Sequence, residues 1–254
     1  MYRVVFVGAG NLATSLAPAL NRAGHRVVQV FSHTMPSASA LASRLEAEPV
    51  NDFCRILPDA DVYVYALRDD VYASVPAFPC RAEAVHLHTS GSVPCSDLAC
   101  RAHRGVLYPF QTFSRQTPVT DFSSIPFLIE GEDALSLSVA RALALSVGGR
   151  VFDSTPESRM RLHLAGVLAN NFTNCMYALA EEQLRKADLP FSLLLPLIDE
   201  TARKVHRLSP REAQTGPASR GDIAVMQRHL NLLDDDSLRR LYLLVSDLIG
   251  HRNS

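Results

Sequence analysis

The first half of the chain alternates short apolar runs with stretches of helical periodicity. Runs rich in valine and other β-branched residues predict strands that are buried on both faces of a parallel sheet. Helical patterns separate these runs, and Gly24 ends the first of them, although Pro18 inside it is expected to kink that helix. The predicted strands are Arg3–Val7, Arg26–Phe31, Asp61–Ala66, Ala84–His88, Gly105–Tyr108, Pro126–Ile129 and Arg150–Phe152, and the predicted helices are about Asn11–Ala23, Ser37–Ala47 and Asp133–Val147.

The pattern becomes purely helical after Thr155-Pro156. Met160, Leu164, Leu168, Phe172 and Met176 recur at every fourth position, which predicts one long helix with a wide apolar face. Further helices are predicted at about Phe191–Arg207, Ile223–Leu233 and Ser237–Ile249, and the Pro- and Gly-rich stretch 208–222 is predicted to be a loop. The pattern therefore predicts an α/β domain at residues 1–155, with a doubly wound parallel sheet, and a smaller all-α domain at residues 156–254.

Composition and charge limit the classes of partner that the chain is expected to bind. The chain of 254 residues has a formal net charge of −1, which gives no electrostatic reason to bind nucleic acid or an anionic membrane. No apolar run reaches the roughly 18 residues that a membrane helix needs. An odd number of scattered cysteines, without zinc spacing, favours a reducing compartment and no metal site. We expect a cytoplasmic protein; its cysteines are Cys54, Cys80, Cys95, Cys100 and Cys175.

The sharpest motif is the sequence from Gly8 to Ala13, between the first predicted strand and the first helix. It reads Gly8, Ala9, Gly10, Asn11, Leu12, Ala13 and fits G-x-G-x-x-G/A. In this pattern the first glycine permits a tight turn, the second lets the backbone approach a pyrophosphate, and the small last residue allows the helix to pack against the strand. The free N–H groups at the helix start then face the phosphates. The motif predicts a Rossmann domain that binds a dinucleotide.

The end of the second strand favours NADP over NAD. NAD enzymes usually place an Asp or Glu there to bind the ribose hydroxyls. In this chain Ser32, His33 and Thr34 occupy that position, and the first acidic residue is Glu46. Without a carboxylate to repel it, a 2′-phosphate can accept hydrogen bonds from Ser32 and Thr34, and His33 adds positive charge when protonated.

Several further motifs carry a resemblance to a known family. The chain resembles the bacterial family of provisionally named NADP oxidoreductases that join an NADP-type Rossmann domain to a C-terminal helical domain of unknown function. Its architecture is similar to that of β-hydroxyacid dehydrogenases and pyrroline-5-carboxylate reductases. The motifs are Gly8–Ala13, Ala66–Asp70, Thr89–Ser92, Tyr108–Phe113, His163–Val167, Asn171–Asn174, Gln214–Ala218 and Arg220–Asp222.

The resemblance implies a site in a cleft between the domains and a homodimer formed through the helical domain. It also implies that the dinucleotide contacts Ala66, Leu67, Ser90 and Gly91. In β-hydroxyacid dehydrogenases a lysine one turn before an asparagine assists proton transfer. If Asn171 matches that asparagine, Val167 stands at the lysine position, so that mechanism is in doubt here.

His163, one further turn back, is the nearest replacement for the missing acid. On a straight helix with about 100° per residue, His163, Asn170, Asn174 and Glu181 fall within about 20° of one line. An imidazole there can exchange a proton with a carbonyl or alcohol, and Asn171 can orient a polar substrate atom. A solvated helix face gives the same polar line, so both interpretations stay open.

Loops after strands supply the remaining candidates. Ser90 can bind the nicotinamide or the substrate, or belong to an ordinary turn, and Gln111 and Thr112 follow another strand. Arg220 can reach a substrate carboxylate across a dimer interface, although a turn with Asp222 as N-cap explains that segment too.

Two functions remain open. The first is an NADP-dependent oxidoreductase that acts on a small polar, even carboxylated, metabolite. The second is a non-catalytic module that senses NADP or regulates a partner, which the valine at position 167 favours. A proton donor facing the nicotinamide would favour the first.

Overall fold

The computed structural model describes residues 1–99 and 103–253 of the chain. Cys100 lies outside the described residues. The chain forms two compact units, Met1–Thr173 and the residues from Asn174 onward. The strands end at Asp153, close to the predicted change of pattern. The predicted division into domains at residues 155 and 156 remains a prediction.

The first unit contains an eight-stranded sheet in the order β3-β2-β1-β4-β5-β6-β7-β8. This mostly parallel sheet, with helical segments connecting its strands, confirms the predicted Rossmann fold. The strands are β1 Arg3–Val7, β2 Arg26–Phe31, β3 Glu48–Val50, β4 Val62–Tyr65, β5 Val85–His88, β6 His103–Pro109, β7 Pro126–Gly131 and β8 Arg150–Asp153. The α-helices among them are α1 Ala13–Arg22, α2 Met35–Ala42 and α3 Ala134–Ser146. Helix α1 continues through Pro18.

Strands β2 and β3 lie on one side of β1, and the chain then crosses to the other side of β1 to form β4, which is parallel to it. In open α/β sheets, ligands bind at the carboxyl ends of the strands at such a switch point. The apolar side chains of these strands are buried on both faces, as the continuous apolar runs predict. The fold therefore directs a ligand to the loops that follow β1 and β4.

Strand β7 departs from the predicted all-parallel arrangement. It runs antiparallel to β6, with Tyr108 opposite Leu128, while β8 returns to a parallel pairing with β7. A parallel strand needs a crossover, usually a helix, to bring the chain back to the same end of the sheet. The segment from Phe110 to Ile125 holds no helix, so the chain re-enters the sheet at the end where it left.

The predicted long helix forms with one irregular turn. It comprises α4 Pro156–Gly166, a π-helical segment Val167–Phe172 and α5 Thr173–Lys186. Thr155 starts it with a capping box, in which its side chain accepts a hydrogen bond from the Ser158 amide. Because a π-turn bonds i to i+5, the angular positions predicted for a straight helix shift after residue 167.

The second unit contains α5 and four further helices, α6 Leu195–Lys204, α7 Pro217–Arg220, α8 Ile223–Leu232 and α9 Asp236–Asn253. The predicted loop 208–222 holds the short α7. Asp222 caps α8 as predicted, since its Oδ1 accepts a hydrogen bond of 3.1 Å from the Val225 amide. Among the described residues, none of the side chains from 174 to 250 is buried. None of the described helices has the length and apolar character to cross a membrane.

Candidate active site

The glycine-rich turn is built against the end of β4. Gly8 has φ +117°, and a Cβ atom at this position would overlap the carbonyl oxygen of Ala66. Its amide donates to the Phe31 carbonyl at 2.9 Å, which ties the turn to β2. A Cβ atom on Gly10 would lie 3.8 Å from the Ala66 oxygen, an ordinary contact. Gly8 is therefore required by packing, whereas the structure leaves room for a Cβ atom at Gly10.

A cavity of about 270 Å³ lies beside this turn. Within the described residues, the amides of Gly10, Asn11 and Leu12 donate to no acceptor, and the first turn of α1 carries no acidic residue. Free amides at a helix start and a glycine next to open space fit the pyrophosphate of a dinucleotide. The cavity is lined by Gly10, Asn11, Leu12, Ala66, Leu67, Arg68, Thr89, Tyr108, Pro109, Gln111 and Phe113.

The predicted adenosine end is formed by the residues that follow β2. Ser32 is half-buried, and His33 and Thr34 are exposed. The unpredicted strand β3 pairs with β2 and brings Asn51 and Asp52 to the same edge. The Asp52 carboxylate accepts a hydrogen bond of 2.9 Å from the Cys54 amide. No acidic residue directly follows β2, as the sequence shows, but Asp52 follows the neighbouring strand β3 at the same edge.

A second cavity, of about 340 Å³, adjoins the end of β6. It contains the predicted His163 and Asn171 together with Gln111 and Thr112. Tyr108 and Gln111 line both this cavity and the one beside the glycine-rich turn. The second cavity is lined by Tyr108, Phe110, Gln111, Thr112, His163, Gly166, Val167, Ala169, Asn170 and Asn171.

Tyr108 is the functional candidate that the sequence analysis missed. Its hydroxyl oxygen lies 3.0 Å from Nδ1 of His163, within hydrogen-bond distance. Burial, together with the nearby Asp69 carboxylate and against the opposing effect of Arg159, raises the pKa of Tyr108 to about 12. A phenol with this pKa stays protonated near neutral pH. Its position at the end of a strand, where ligands meet a parallel sheet, is the signal that could have identified it.

The loop after β5 holds His163 in place. Gly91 is buried, and a Cβ atom there would lie 2.5 Å from His163 Nδ1 and 2.9 Å from Cζ of Tyr108. Only glycine lets the imidazole and the phenol approach this backbone. The predicted contact of Gly91 with the dinucleotide stays a prediction, since Gly91 does not line the cavity beside the turn.

The Ser90 side chain forms hydrogen bonds within its own turn. Its buried hydroxyl oxygen accepts hydrogen bonds of 3.0 Å from the amides of Ser92 and Val93. These bonds occupy both acceptor sites of a hydroxyl group. The predicted role of Ser90 with nicotinamide or substrate stays a prediction, and its observed contacts are those of a turn.

Arg159 ties this loop to the helix that carries His163. Its side chain is 1% exposed, and its guanidinium donates to the carbonyls of Ser90 at 3.1 Å and Val93 at 2.8 Å. The same group lies 3.4 Å from the Glu130 carboxylate, which offsets its charge. Arg159 and His163 lie one turn apart on α4, so the loop and the imidazole are fixed by one helix.

The π-helical segment places Val167, Asn170 and Asn171 at the second cavity. π-turns inside α-helices occur frequently at functional sites. Val167 does line the cavity, so the position that the family resemblance assigns to a lysine has no amine. Within the described lining, the groups able to carry a proton there are Tyr108 and His163. Asn170 and Asn171 are exposed and supply amides.

Comparisons with known proteins identify the family of this chain. Residues 3–81 match the family described as NADP oxidoreductase, coenzyme F420-dependent, and residues 125–249 match a domain of unknown function, DUF2520. A Bacteroides fragilis protein, provisionally named an NADP oxidoreductase, is 47% identical over 98% of both chains, with a TM-score of 0.92. The chain belongs to this family. The enzyme is therefore a nicotinamide-dependent oxidoreductase, and the resemblance seen in its motifs is confirmed.

More distant structures share the fold of this oxidoreductase. A Thermotoga maritima protein is 20% identical, with a TM-score of 0.70 and 98% of both chains covered. A 1-pyrroline-5-carboxylate reductase from Streptococcus pyogenes is 12% identical, with a TM-score of 0.62 and the same coverage. Among curated proteins, none matches the sequence.

Proposed function

We propose that the enzyme is an NADP-dependent oxidoreductase in which Tyr108, supported by His163, exchanges a proton with the substrate. The observation that carries this proposal is the position of Tyr108, which lines both the cavity beside the glycine-rich turn and the second cavity beside α4. A proton donor at the junction of the two cavities is where a reaction between a nicotinamide and a small substrate requires one.

The chemistry follows from the protonation of this pair. A bound reduced nicotinamide supplies a hydride to a carbonyl or imine carbon. The Tyr108 hydroxyl donates its proton to the oxygen or nitrogen that gains the electron pair, because its raised pKa keeps it protonated. His163 lies 3.0 Å from that hydroxyl and can replace the proton through Nδ1–H while its Nε2 takes up a proton from water, so that the imidazole ends neutral. In the reverse direction the pair accepts the proton of an alcohol or amine.

The second cavity favours a reacting group without charge. Its described lining contains no Lys, Arg, Asp or Glu, whereas Gln111, Asn170 and Asn171 offer both donors and acceptors. The predicted carboxylate partner, Arg220, lies on α7 in the second unit. We therefore infer a small polar substrate whose reacting end is a neutral carbonyl or imine. A carboxylate elsewhere in the substrate, bound by Arg220, stays a prediction.

NADP is the proposed cofactor rather than NAD. Ser32 and Thr34 provide hydroxyl donors after β2, and His33 stands beside Phe31 and Phe53, with ring centroids 5.7 and 6.4 Å away. Asp52 on the neighbouring loop opposes this preference, but one of its oxygens already caps the following turn. NADP is also the cofactor named in the description of the matched family.

We also propose a homodimer formed through the helical unit. An apolar groove of about 500 Å³ runs along α5, α8 and α9, with Leu179, Leu232, Leu241 and Val245 among its lining residues. A helical unit without buried side chains lacks a core of its own, and a second copy covering this groove would provide one. Four described cysteines are free thiols, which supports the proposed cytoplasmic location.

The alternative of a non-catalytic NADP sensor is not favoured. Its main support is the valine in place of the family lysine. The Tyr108–His163 pair fills the missing role, because it supplies a proton donor from strand β6 rather than from the helix position of the lysine.

A substrate panel tests the proposed function. NADPH consumption is followed by its absorbance with small aldehydes, ketones, 2-oxo acids and cyclic imines, and with coenzyme F420, which the family description names. With the substrate that this panel identifies, Tyr108→Phe and His163→Ala should each lower kcat by about 100-fold or more, the usual contribution of a general acid. NADPH affinity, measured by calorimetry, should change by less than about threefold.

His103→Ala is the matched control. His103 lies on the same strand as Tyr108, at its other end, and its Nδ1 lies 2.7 Å from the Asp133 carboxylate. This variant should leave turnover unchanged. Unaltered turnover in Tyr108→Phe would refute the proposed acid, and failure of the wild-type protein to bind either NADP or NAD would refute the cofactor assignment.

A further inference from the structure

We propose that Arg115 binds the pyrophosphate of the dinucleotide beside the glycine-rich turn. This inference rests on the proposed cofactor and adds a residue to its site. Arg115 lies on the strap, which we define as residues 111–120 between β6 and β7. No sequence motif marks Arg115, because dinucleotide-binding patterns extend only to the end of the second strand.

Contacts from the strap bring Arg115 to the turn. The Arg115 guanidinium donates from Nη2 to the carbonyl oxygen of Ala9 at 2.6 Å. Ala9 is the residue between the two glycines of the turn. Phe113, two residues earlier, lines the same cavity as Gly10 and Asn11. The charged end of Arg115 is therefore held at the glycine-rich turn, next to Gly10 and the other residues that line this cavity.

The strap is fastened to α1 independently of Arg115. The Val119 amide donates to the Ser15 hydroxyl at 3.0 Å, and Arg22 donates from Nη2 to the Thr120 carbonyl at 3.2 Å. Two attachments further along mean that the bond to Ala9 is not needed to position the strap. An arginine has five N–H donors, and this bond uses one of them, so the remaining donors are available for an anion.

The positive charge that lines this cavity is paired with a carboxylate. Arg68, which lines the cavity, forms a two-point pair with Asp70 at 3.0 and 2.6 Å. Arg115 makes no ion pair among the described residues. A guanidinium without a carboxylate partner, beside free backbone amides, matches the charge and the paired oxygens of a pyrophosphate. Because it lies at Ala9 rather than after β2, we assign it to the pyrophosphate and not to the 2′-phosphate.

Calorimetric titration of the full-length chain with NADP and with NAD tests this assignment. Arg115→Gln should weaken both cofactors by about tenfold, the effect of losing a charge-assisted hydrogen bond at an exposed site. The loss should be equal for NADP and NAD because both carry the pyrophosphate. Arg115→Lys should recover part of the affinity, since it keeps the charge without the planar fork. Added salt should weaken binding less in Arg115→Gln than in the wild type.

Arg22→Gln is the matched control. It removes another Nη2-to-carbonyl bond that fastens the strap, without removing charge from the turn. Its affinity should stay within about threefold of the wild type. Equal losses in Arg22→Gln and Arg115→Gln would show that Arg115 only fastens the strap and would overturn the proposal. A loss confined to NADP would place Arg115 on the 2′-phosphate and would also overturn it.

Melting temperatures measured without ligand identify any variant whose binding is weakened by misfolding. If Arg115→Lys keeps the wild-type melting temperature but loses as much cofactor affinity as Arg115→Gln, the charge assignment is contradicted. The same titrations distinguish a failure of the proposed function from a failure of the Arg115 assignment. If the wild-type protein binds neither cofactor, the dinucleotide site itself is refuted. If the wild type binds and Arg115→Gln binds equally well, the present inference alone fails.

Discussion

Gly91 and His163 approach so closely that a methyl group on the glycine would lie 2.5 Å from Nδ1 of the imidazole. The two residues belong to different elements, the loop after β5 and helix α4. The same methyl group would lie 2.9 Å from the Tyr108 ring, so this one glycine accommodates both members of the proposed proton-transfer pair. The structure therefore couples the backbone of this loop to the distance between Tyr108 and His163.

Gly91→Ala should disrupt the pair without removing either side chain. The imidazole must shift by several tenths of an ångström, which breaks the hydrogen bond to Tyr108. Misplacing a catalytic group by such distances lowers kcat by about tenfold to 100-fold, while the NADPH affinity should change little. The readouts are kcat with the identified substrate, NADPH affinity, and the histidine ring signals in NMR spectra. Unchanged kcat together with an unmoved His163 signal would contradict the role given to Gly91.

Gly8→Ala should impair both stability and cofactor binding. Gly8 has φ +117°, and the added Cβ would overlap the Ala66 carbonyl. Gly24 is the matched control, because it has φ +90° but open space around its Cβ position. Gly24→Ala should cost about 1–2 kcal/mol of unfolding free energy for the left-handed backbone alone. Gly8→Ala should cost more and weaken NADP binding by at least about tenfold, because the turn must move away from β4. Equal effects of the two variants in urea unfolding and calorimetry would show that the contact with Ala66 is unimportant.

Arg159→Met should be one of the most destabilising single changes in the first unit. It leaves the Glu130 carboxylate, which is itself largely buried, without its partner, and it frees the carbonyls of Ser90 and Val93. Breaking a buried ion pair by removing one partner costs about 3–5 kcal/mol. Arg161→Met on the same helix is the control. Arg161 is 77% exposed, so its loss should change stability by less than about 0.5 kcal/mol. Similar unfolding free energies for the two variants would refute the anchoring role of Arg159.

The parts of the site that follow from local sequence were predictable. Gly8–Ala13 lies between a strand and a helix, and those elements depend on residues within a few positions of one another. The apolar runs of β1 and β2 gave their bounds directly, since a buried parallel strand is apolar on both faces. The resemblance to a family added Ala66 and Leu67, which the structure brings to the same cavity.

The parts that depend on distant contacts were not predictable. Tyr108 and His163 are 55 positions apart, and Arg115 and Ala9 are 106 apart, so no local pattern connects them. The antiparallel direction of β7 depends on the missing crossover helix, which apolar periodicity does not reveal. The π-turn altered the helix face that a straight helix predicts, because the added residue in one turn rotates all the positions after it.

Buried histidines should make the enzyme sensitive to mild acid. His88 is fully buried, and burial, together with the positive charge of Arg159, lowers its pKa to about 3. Burial alone lowers the pKa of His86 to about 4. An unfolded histidine has a pKa of about 6.5, so between this value and the folded pKa the unfolded chain binds more protons than the folded one. The stability that the neutral rings contribute is therefore complete above about pH 6.5 and is lost as the pH falls toward the folded values.

We expect the free energy of unfolding to fall with decreasing pH by up to about 1.4 kcal/mol per pH unit for each of these histidines. His88→Gln should remove one such contribution from the slope between about pH 6 and pH 4, whatever its effect on stability at neutral pH. Replacement of the exposed His206 by Gln is the control and should leave the slope unchanged. Urea unfolding at a series of pH values, followed by circular dichroism, gives the slopes. A slope in His88→Gln equal to that of the wild type would mean that His88 is protonated without unfolding, through an opening of the loop that Arg159 holds against it.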